Sequence, residues 1–242
     1  MTEKIKNLSF LINIAFAVLI VISASIFMNG IISNKYIIKT LTSALFVFCG
    51  MFNFSLVFLF KKEMLKKTII MLVGLFFAFF GDVLLIDHFV IGAIFFAIGH
   101  LFFFAYFVSI NKIKAQDFII SFAIFAIAVC LILFYDGFSF NGMIGLVLVY
   151  AFIISLMLGK AISGAITKPT LANIIMAIGA FLFFFSDLML LFDVFAQAHK
   201  IFDVLCLSTY YPAEFLLALC ISLQTLLSPQ ECKQKKVENL KK

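Results

Sequence analysis

Eight runs of apolar residues, each about long enough to cross a hydrocarbon core, leave this chain little to fold into except a bundle of membrane helices. They lie at roughly 8–28, 36–60, 68–87, 89–110, 117–135, 141–160, 170–193 and 203–227. In hydrocarbon every backbone N–H and C=O must be satisfied internally, which a helix does within one segment. No soluble core in a chain of 242 residues could hide side chains that are 65% hydrophobic and include 35 Phe. The connections are short and contain no Pro/Gly/Ser-rich linker. The reading is an all-α integral membrane protein, with one polytopic domain over 1–230 and a basic cytoplasmic tail over 231–242.

Lysine placement predicts the orientation. All 18 cationic side chains are lysine. With eight spans, one face collects Lys4, Lys6, Lys61, Lys62, Lys66, Lys67, Lys112, Lys114, Lys160, Lys168 and the tail lysines from Lys233 to Lys242. The other face keeps Lys35 and Lys200, and Lys39 falls inside a helix. The positive-inside rule then puts both termini in the cytoplasm of a plasma membrane, of the bacterial inner-membrane kind. The net charge of +6 reports topology and contact with anionic lipid rather than nucleic-acid binding. Lys4, Lys6 and the small stretch Ser23-Ala24-Ser25 also resemble a signal peptide, but the apolar run is long for a signal core and its loss would leave an odd helix count. A retained first helix is expected. Cys49, Cys130, Cys206, Cys220 and Cys232 show no CxxC pair and no metal-like spacing with histidine, so neither a disulfide, a metal nor a cofactor is expected.

Two stretches repeat each other 105 residues apart. Gly74 to Leu85 aligns with Gly179 to Leu190, placing Gly81 on Ser186, Asp82 on Asp187 and, further on, Tyr106 on Tyr211. The offset divides the chain into four-helix halves, about 8–110 and 117–227. An even number of spans per half makes the repeat parallel, about an axis along the membrane normal. Such an axis would hold Asp82 and Asp187 at one depth and bring them together, about 8 Å from their helix ends. A carboxylate inside the bilayer is costly and is read as functional by default. Lys39, His100, Tyr210, Tyr211 and Glu214 point to the same interior, the last three sharing a face of helix 8 by their i, i+3 and i, i+4 spacings.

At these residues the chain resembles the YhhN family, which includes the lysoplasmalogenases, or alkenylglycerophospholipid hydrolases. The resemblance is carried by Gly81-Asp82, by Gly92 and Gly99-His100, by Phe183 with Ser186-Asp187, and by Tyr210-Tyr211 with Glu214. Tyr150, Met157 and Lys39 fit it less specifically. The family's helix-8 motif usually has glutamine where Glu214 stands, and Phe103 replaces a tyrosine expected after the histidine. The resemblance implies hydrolysis of the vinyl ether of a lysoplasmalogen, a lysophospholipid substrate, to a fatty aldehyde and a glycerophospho-alcohol. That chemistry needs an acid for the alkene carbon, a group to stabilise an oxocarbenium ion, and a base for water. Two carboxyl groups in different protonation states can supply these, as in glycoside hydrolysis. Asp82 and Asp187 are the expected catalytic pair. Lys39, His100, Tyr150, Ser186, Tyr210, Tyr211 and Glu214 are the expected substrate-binding set, with Lys39 meeting the lipid phosphate.

Each candidate also has a plainer role. Asp82 or Asp187 could pair with Lys39, Gly99-His100 could be a close helix crossing, and Lys39 could snorkel to the interface. His88 and His199 fit solvated loops. The rival function is a proton-coupled transporter of small solutes or lipids using the same acidic residues.

Overall fold

The computed structural model describes residues 3–32, 34–196 and 200–226, with the side chains of 224–226 left aside. His199, Cys232 and the basic tail therefore lie outside the described residues. Eight α-helices follow one another: α1 (Glu3–Met28), α2 (Lys35–Phe60), α3 (Leu65–Leu84), α4 (Phe89–Ile110), α5 (Ala115–Phe134), α6 (Ile144–Thr167), α7 (Leu171–Phe195) and α8 (Ile201–Leu226). All eight are long and apolar enough to cross a membrane. The lysine-poor face holds the ends of α1, α3, α5 and α7 and the starts of α2, α4, α6 and α8; the lysine-rich face holds the opposite ends.

Packing in lipid gains nothing from hiding apolar surface, so helices meet where small residues let backbones approach. The α3–α4 crossing shows this at two glycine pairs. A Cβ on Gly92 would lie 2.9 Å from the Gly81 carbonyl and 2.7 Å from the Leu85 nitrogen; one on Gly99 would lie 3.2 Å from the Gly74 carbonyl. The crossing carries Asp82 on one helix and His100 on the other, so these glycines set the spacing across the interior. In the second half α7 packs closely on α8, with Gly179 against Leu216 and Leu217. Partners also follow the 105-residue offset: α2 lies against α3 and α8 as α6 lies against α7 and α4.

Two boundaries differ from expectation. The apolar run ends near 160, yet α6 continues to Thr167. Lys160, expected in a lysine-rich loop, is therefore a helical residue, 2% exposed, with its Nζ 2.6 Å from Asp117 Oδ2 on α5 and 2.9 Å from the Lys112 carbonyl. The ion pair explains how hydropathy misplaced it: a buried cation with a partner does not mark a helix end. The second difference concerns the repeat. Asp82 lies two residues from the end of α3 at Leu84, whereas Asp187 lies eight from the end of α7 at Phe195. That is about 3 Å against about 12 Å along the axis, because α7 runs on where α3 stops.

The ends toward the lysine-rich face are fixed by polar contacts. Asn13 and Asn53 exchange side-chain amide bonds at 2.8 and 3.3 Å, tying α1 to α2, and Ser222 of α8 donates to Asn53. Asn111 donates to Asn173 at 3.2 Å, joining the end of α4 to the start of α7. Each bond costs little to keep and more to break, because a lone buried amide would lose its partner with no water to replace it.

Candidate functional site

Asp82 and Asp187 anchor two separate polar centres, with no hydrogen bond between them among the described residues. Around Asp82, two helices supply three donors. Lys39 Nζ on α2 lies 3.0 Å from Oδ1. Ser43, one turn along the same helix, donates to Oδ2, and Tyr211 on α8 donates to Oδ2 at 3.4 Å. Asp82 is 3% exposed and Lys39 is 8% exposed, so this is a buried ion pair with both carboxyl oxygens engaged. Such a pair holds only when the remaining lone pairs also find donors. Lys39 is thus occupied by a carboxylate, and a lipid phosphate would have to share it. Ser43 was not legible as a candidate alone, but its i+4 position from Lys39 puts it on the same face of α2.

The second centre is organised differently. Tyr150 on α6 donates to Asp187 Oδ2 at 2.7 Å, and His100 Nε2 on α4 lies 3.1 Å from the same oxygen and 2.9 Å from the tyrosine hydroxyl. Both bonds converge on Oδ2, and Oδ1 makes none among the described residues. His100 Nδ1 is buried without a hydrogen-bond partner among the described residues. His100 is fully buried while Asp187 keeps about a tenth of its side chain accessible.

That accessibility is to a cavity. Between α4, α5, α6 and α7 lies a half-open apolar cavity of about 90 Å³. Its walls include Phe89, Ala93 and Phe96 of α4, Ala128 and Ile132 of α5, Val147, Ala151 and Ile154 of α6, and Leu191 and Phe195 of α7. The hydroxyl of Tyr150 and the carboxyl of Asp187 are the polar side-chain groups in that lining. An apolar slot with a few convergent polar groups is the usual form of a small-molecule site.

The two centres are separated by aromatic rings. Phe183 packs edge-on against His100 at 4.5 Å and against Tyr210 at 5.4 Å, and Tyr210 also meets Phe96, Phe46 and Tyr211. The hydroxyl of Tyr210 reaches only the Ala78 carbonyl, at 3.5 Å. Glu214 is fully buried, neither of its oxygens has a hydrogen-bond partner among the described residues, and it lies within the fields of both Asp82 and Asp187. Ser186 touches neither carboxyl; its hydroxyl faces the Cys206 thiol at 3.4 Å. Phe103, standing where the resemblance expects a tyrosine, is buried and packs over Gly74. Tyr106, the repeat mate of Tyr211, bonds the Cys220 carbonyl at 3.2 Å instead of a carboxyl. Cys49, Cys130, Cys206 and Cys220 are free thiols within helices.

The YhhN family model matches residues 34–221 of the chain, which contain every residue of both centres. No curated protein and no solved structure matches the chain.

Proposed function

Since the chain belongs to the YhhN family, we propose that it is a membrane lysoplasmalogenase, hydrolysing the vinyl ether of a lysoplasmalogen at Asp187 with Asp82 as a fixed anion. The observation that carries this reading is the unlike occupancy of the two carboxyl groups. Asp82 has both oxygens taken by donors, one of them the Lys39 ammonium, which suits it to a fixed electrostatic role. Asp187 receives both its hydrogen bonds on one oxygen, which leaves the other free to carry and return a proton at the cavity wall.

In this reading the alkenyl chain lies in the cavity with its vinyl ether against Asp187. The Asp187 proton moves to the alkene carbon that does not bear oxygen, and an oxocarbenium ion forms at the carbon that does. The resulting Asp187 carboxylate and the anion of Asp82 stabilise that cation electrostatically. Asp187 then accepts a proton as water adds to the cationic carbon, giving a hemiacetal. Collapse of the hemiacetal releases the fatty aldehyde and the glycerophospho-alcohol, and Asp187 regains its starting state. The net change is addition of one water and scission of one C–O bond. Tyr150 and His100 fix the carboxyl through Oδ2, and Tyr211 and Ser43 do the same for Asp82. Tyr210, Ser186 and Glu214 shape the interior between the centres. Lys39 balances Asp82, and any contact with the lipid phosphate is shared with that carboxylate.

The transporter reading would favour discontinuous helices at the substrate site. Among the described residues all eight helices run unbroken, and Pro212 lies within α8. The test is to incubate purified protein with a lysoplasmalogen and with its saturated alkyl ether analogue, and to measure aldehyde. Release from the vinyl ether alone is the expected result. Aldehyde from neither lipid would sink the hydrolase reading.

A further inference from the structure

The cavity beside Asp187 lies where the packing departs from the 105-residue correspondence. By the 105-residue offset α5 corresponds to α1 and α4 to α8. Helix α1 packs on both α2 and α8, whereas α5 packs along α6 and has no comparable contact with α4. The residues that line the resulting gap are Phe89, Ala93 and Phe96 on one side and Ala128 and Ile132 on the other. The gap is thus part of the cavity and runs within the membrane-spanning stretch of both helices.

The same cavity is covered at the lysine-poor end. There the connection between α5 and α6 folds over α7: the Ser139 N–H donates to the Phe195 carbonyl at 2.8 Å, and the rings of Phe140 and Phe195, and of Phe138 and Phe192, pack tilted at 5.1 and 5.0 Å. Phe89 meets Phe195 at 5.6 Å from the α4 side. At the opposite end α5 is pinned to α6, through the Asp117–Lys160 pair and through Gly159, where a Cβ would lie 2.2 Å from Ser121 Oγ. Only the half of α5 that walls the cavity lacks a polar tether.

We infer that a single alkyl chain of a bilayer lipid reaches the cavity sideways, through the gap between α4 and α5, and not from water. An occupant must suit walls that are apolar except at Asp187 and Tyr150, and the medium outside the gap is lipid. A chain with one polar bond near its head matches both. The inference deepens the hydrolase reading by naming the route and the number of chains, yet chain access itself needs no hydrolysis.

The experiment uses the full chain in phosphatidylcholine vesicles. The probe is a saturated alkyl-ether lysophosphatidylethanolamine carrying a photoreactive diazirine at the chain end. Adducts located by mass spectrometry are expected on the cavity-facing residues of α4 and α5, around Ala93, Ala128 and Ile132. Ala128→Phe, which fills the gap, should cut their yield about tenfold or more. Ile127→Phe, one position away and facing lipid at 71% exposure, should leave it unchanged. Should Ala128→Phe not fold, Ala151→Phe fills the same space from α6, and the wild-type adduct map decides alone. Adducts on α1 or α8, or an undiminished yield in a folded filling variant, would overturn the route. Because the probe has no vinyl ether, cavity adducts without aldehyde from lysoplasmalogen would sink the reaction and leave the route standing. Aldehyde release with adducts elsewhere would do the reverse.

Discussion

Asp82 and Asp187 share a residue type and a place in the repeat, but their neighbours differ. In the proposed reading the carboxyl with a lysine and two hydroxyl donors supplies fixed charge, and the one with a free oxygen beside the cavity cycles a proton. Asp187→Asn keeps shape and removes the cycling proton, so aldehyde release should fall by about 10²–10⁴-fold with little change in melting temperature. Asp82→Asn leaves the Lys39 ammonium buried and unpaired. It should cost both activity and stability, about 3–5 kcal/mol, seen as a lower thermal midpoint in detergent. Glu214 gives the opposite expectation. Its two oxygens have no hydrogen-bond partner among the described residues, and the amide usual at this position in the family is its isostere. Glu214→Gln should keep activity within about tenfold and leave the thermal midpoint equal or higher; a loss as deep as that of Asp187→Asn would contradict the division of roles. Asp82, Asp187, His100 and Glu214 were visible in the sequence because a titratable group in an apolar run is conspicuous. Ser43 was not, since a serine in a membrane helix commonly bonds its own backbone.

Helices read from hydropathy alone came out correctly in number, and their ends were the weak point. Lys160 shows why. Hydropathy treats lysine as a stop, but a lysine paired with Asp117 can sit inside the bundle. Lys160→Met should therefore destabilise strongly, by about 3–5 kcal/mol, while adding Asp117→Leu should recover part of the loss, because an apolar pair replaces an orphaned charge. Thermal unfolding of the single and double variants checks this. The α3–α4 crossing gives a second prediction. A methyl on Gly92 meets the backbone of α3 at 2.7 Å, whereas one on Gly74 meets the Phe103 ring at 2.5 Å. A ring can turn and a backbone cannot, so Gly92→Ala should lower the thermal midpoint and the activity more than Gly74→Ala. The shared spacing of the two aspartates from their helix ends failed: α7 outruns α3, and no local signal in either sequence stretch marks that difference.

For the molecule as a whole, helix packing that is uneven across the 105-residue offset places the cavity beside Asp187. The first half closes α1 on α8; the second leaves α5 off α4, and the space falls beside Asp187. The lysine bias makes a topological prediction that reaction chemistry does not touch. In cells, a cysteine placed at Ser139 should react with a membrane-impermeant thiol reagent from outside, and one at Ile113 only after permeabilisation; the reverse pattern would invert the orientation. The central claim, proton transfer to an alkene carbon at Asp187, has a direct readout in the product. Run in D2O, the reaction should yield a fatty aldehyde with one deuterium on the carbon next to the carbonyl, measured by mass spectrometry at early times, and Asp187→Asn should yield none above background. Aldehyde free of deuterium at that carbon would contradict the account.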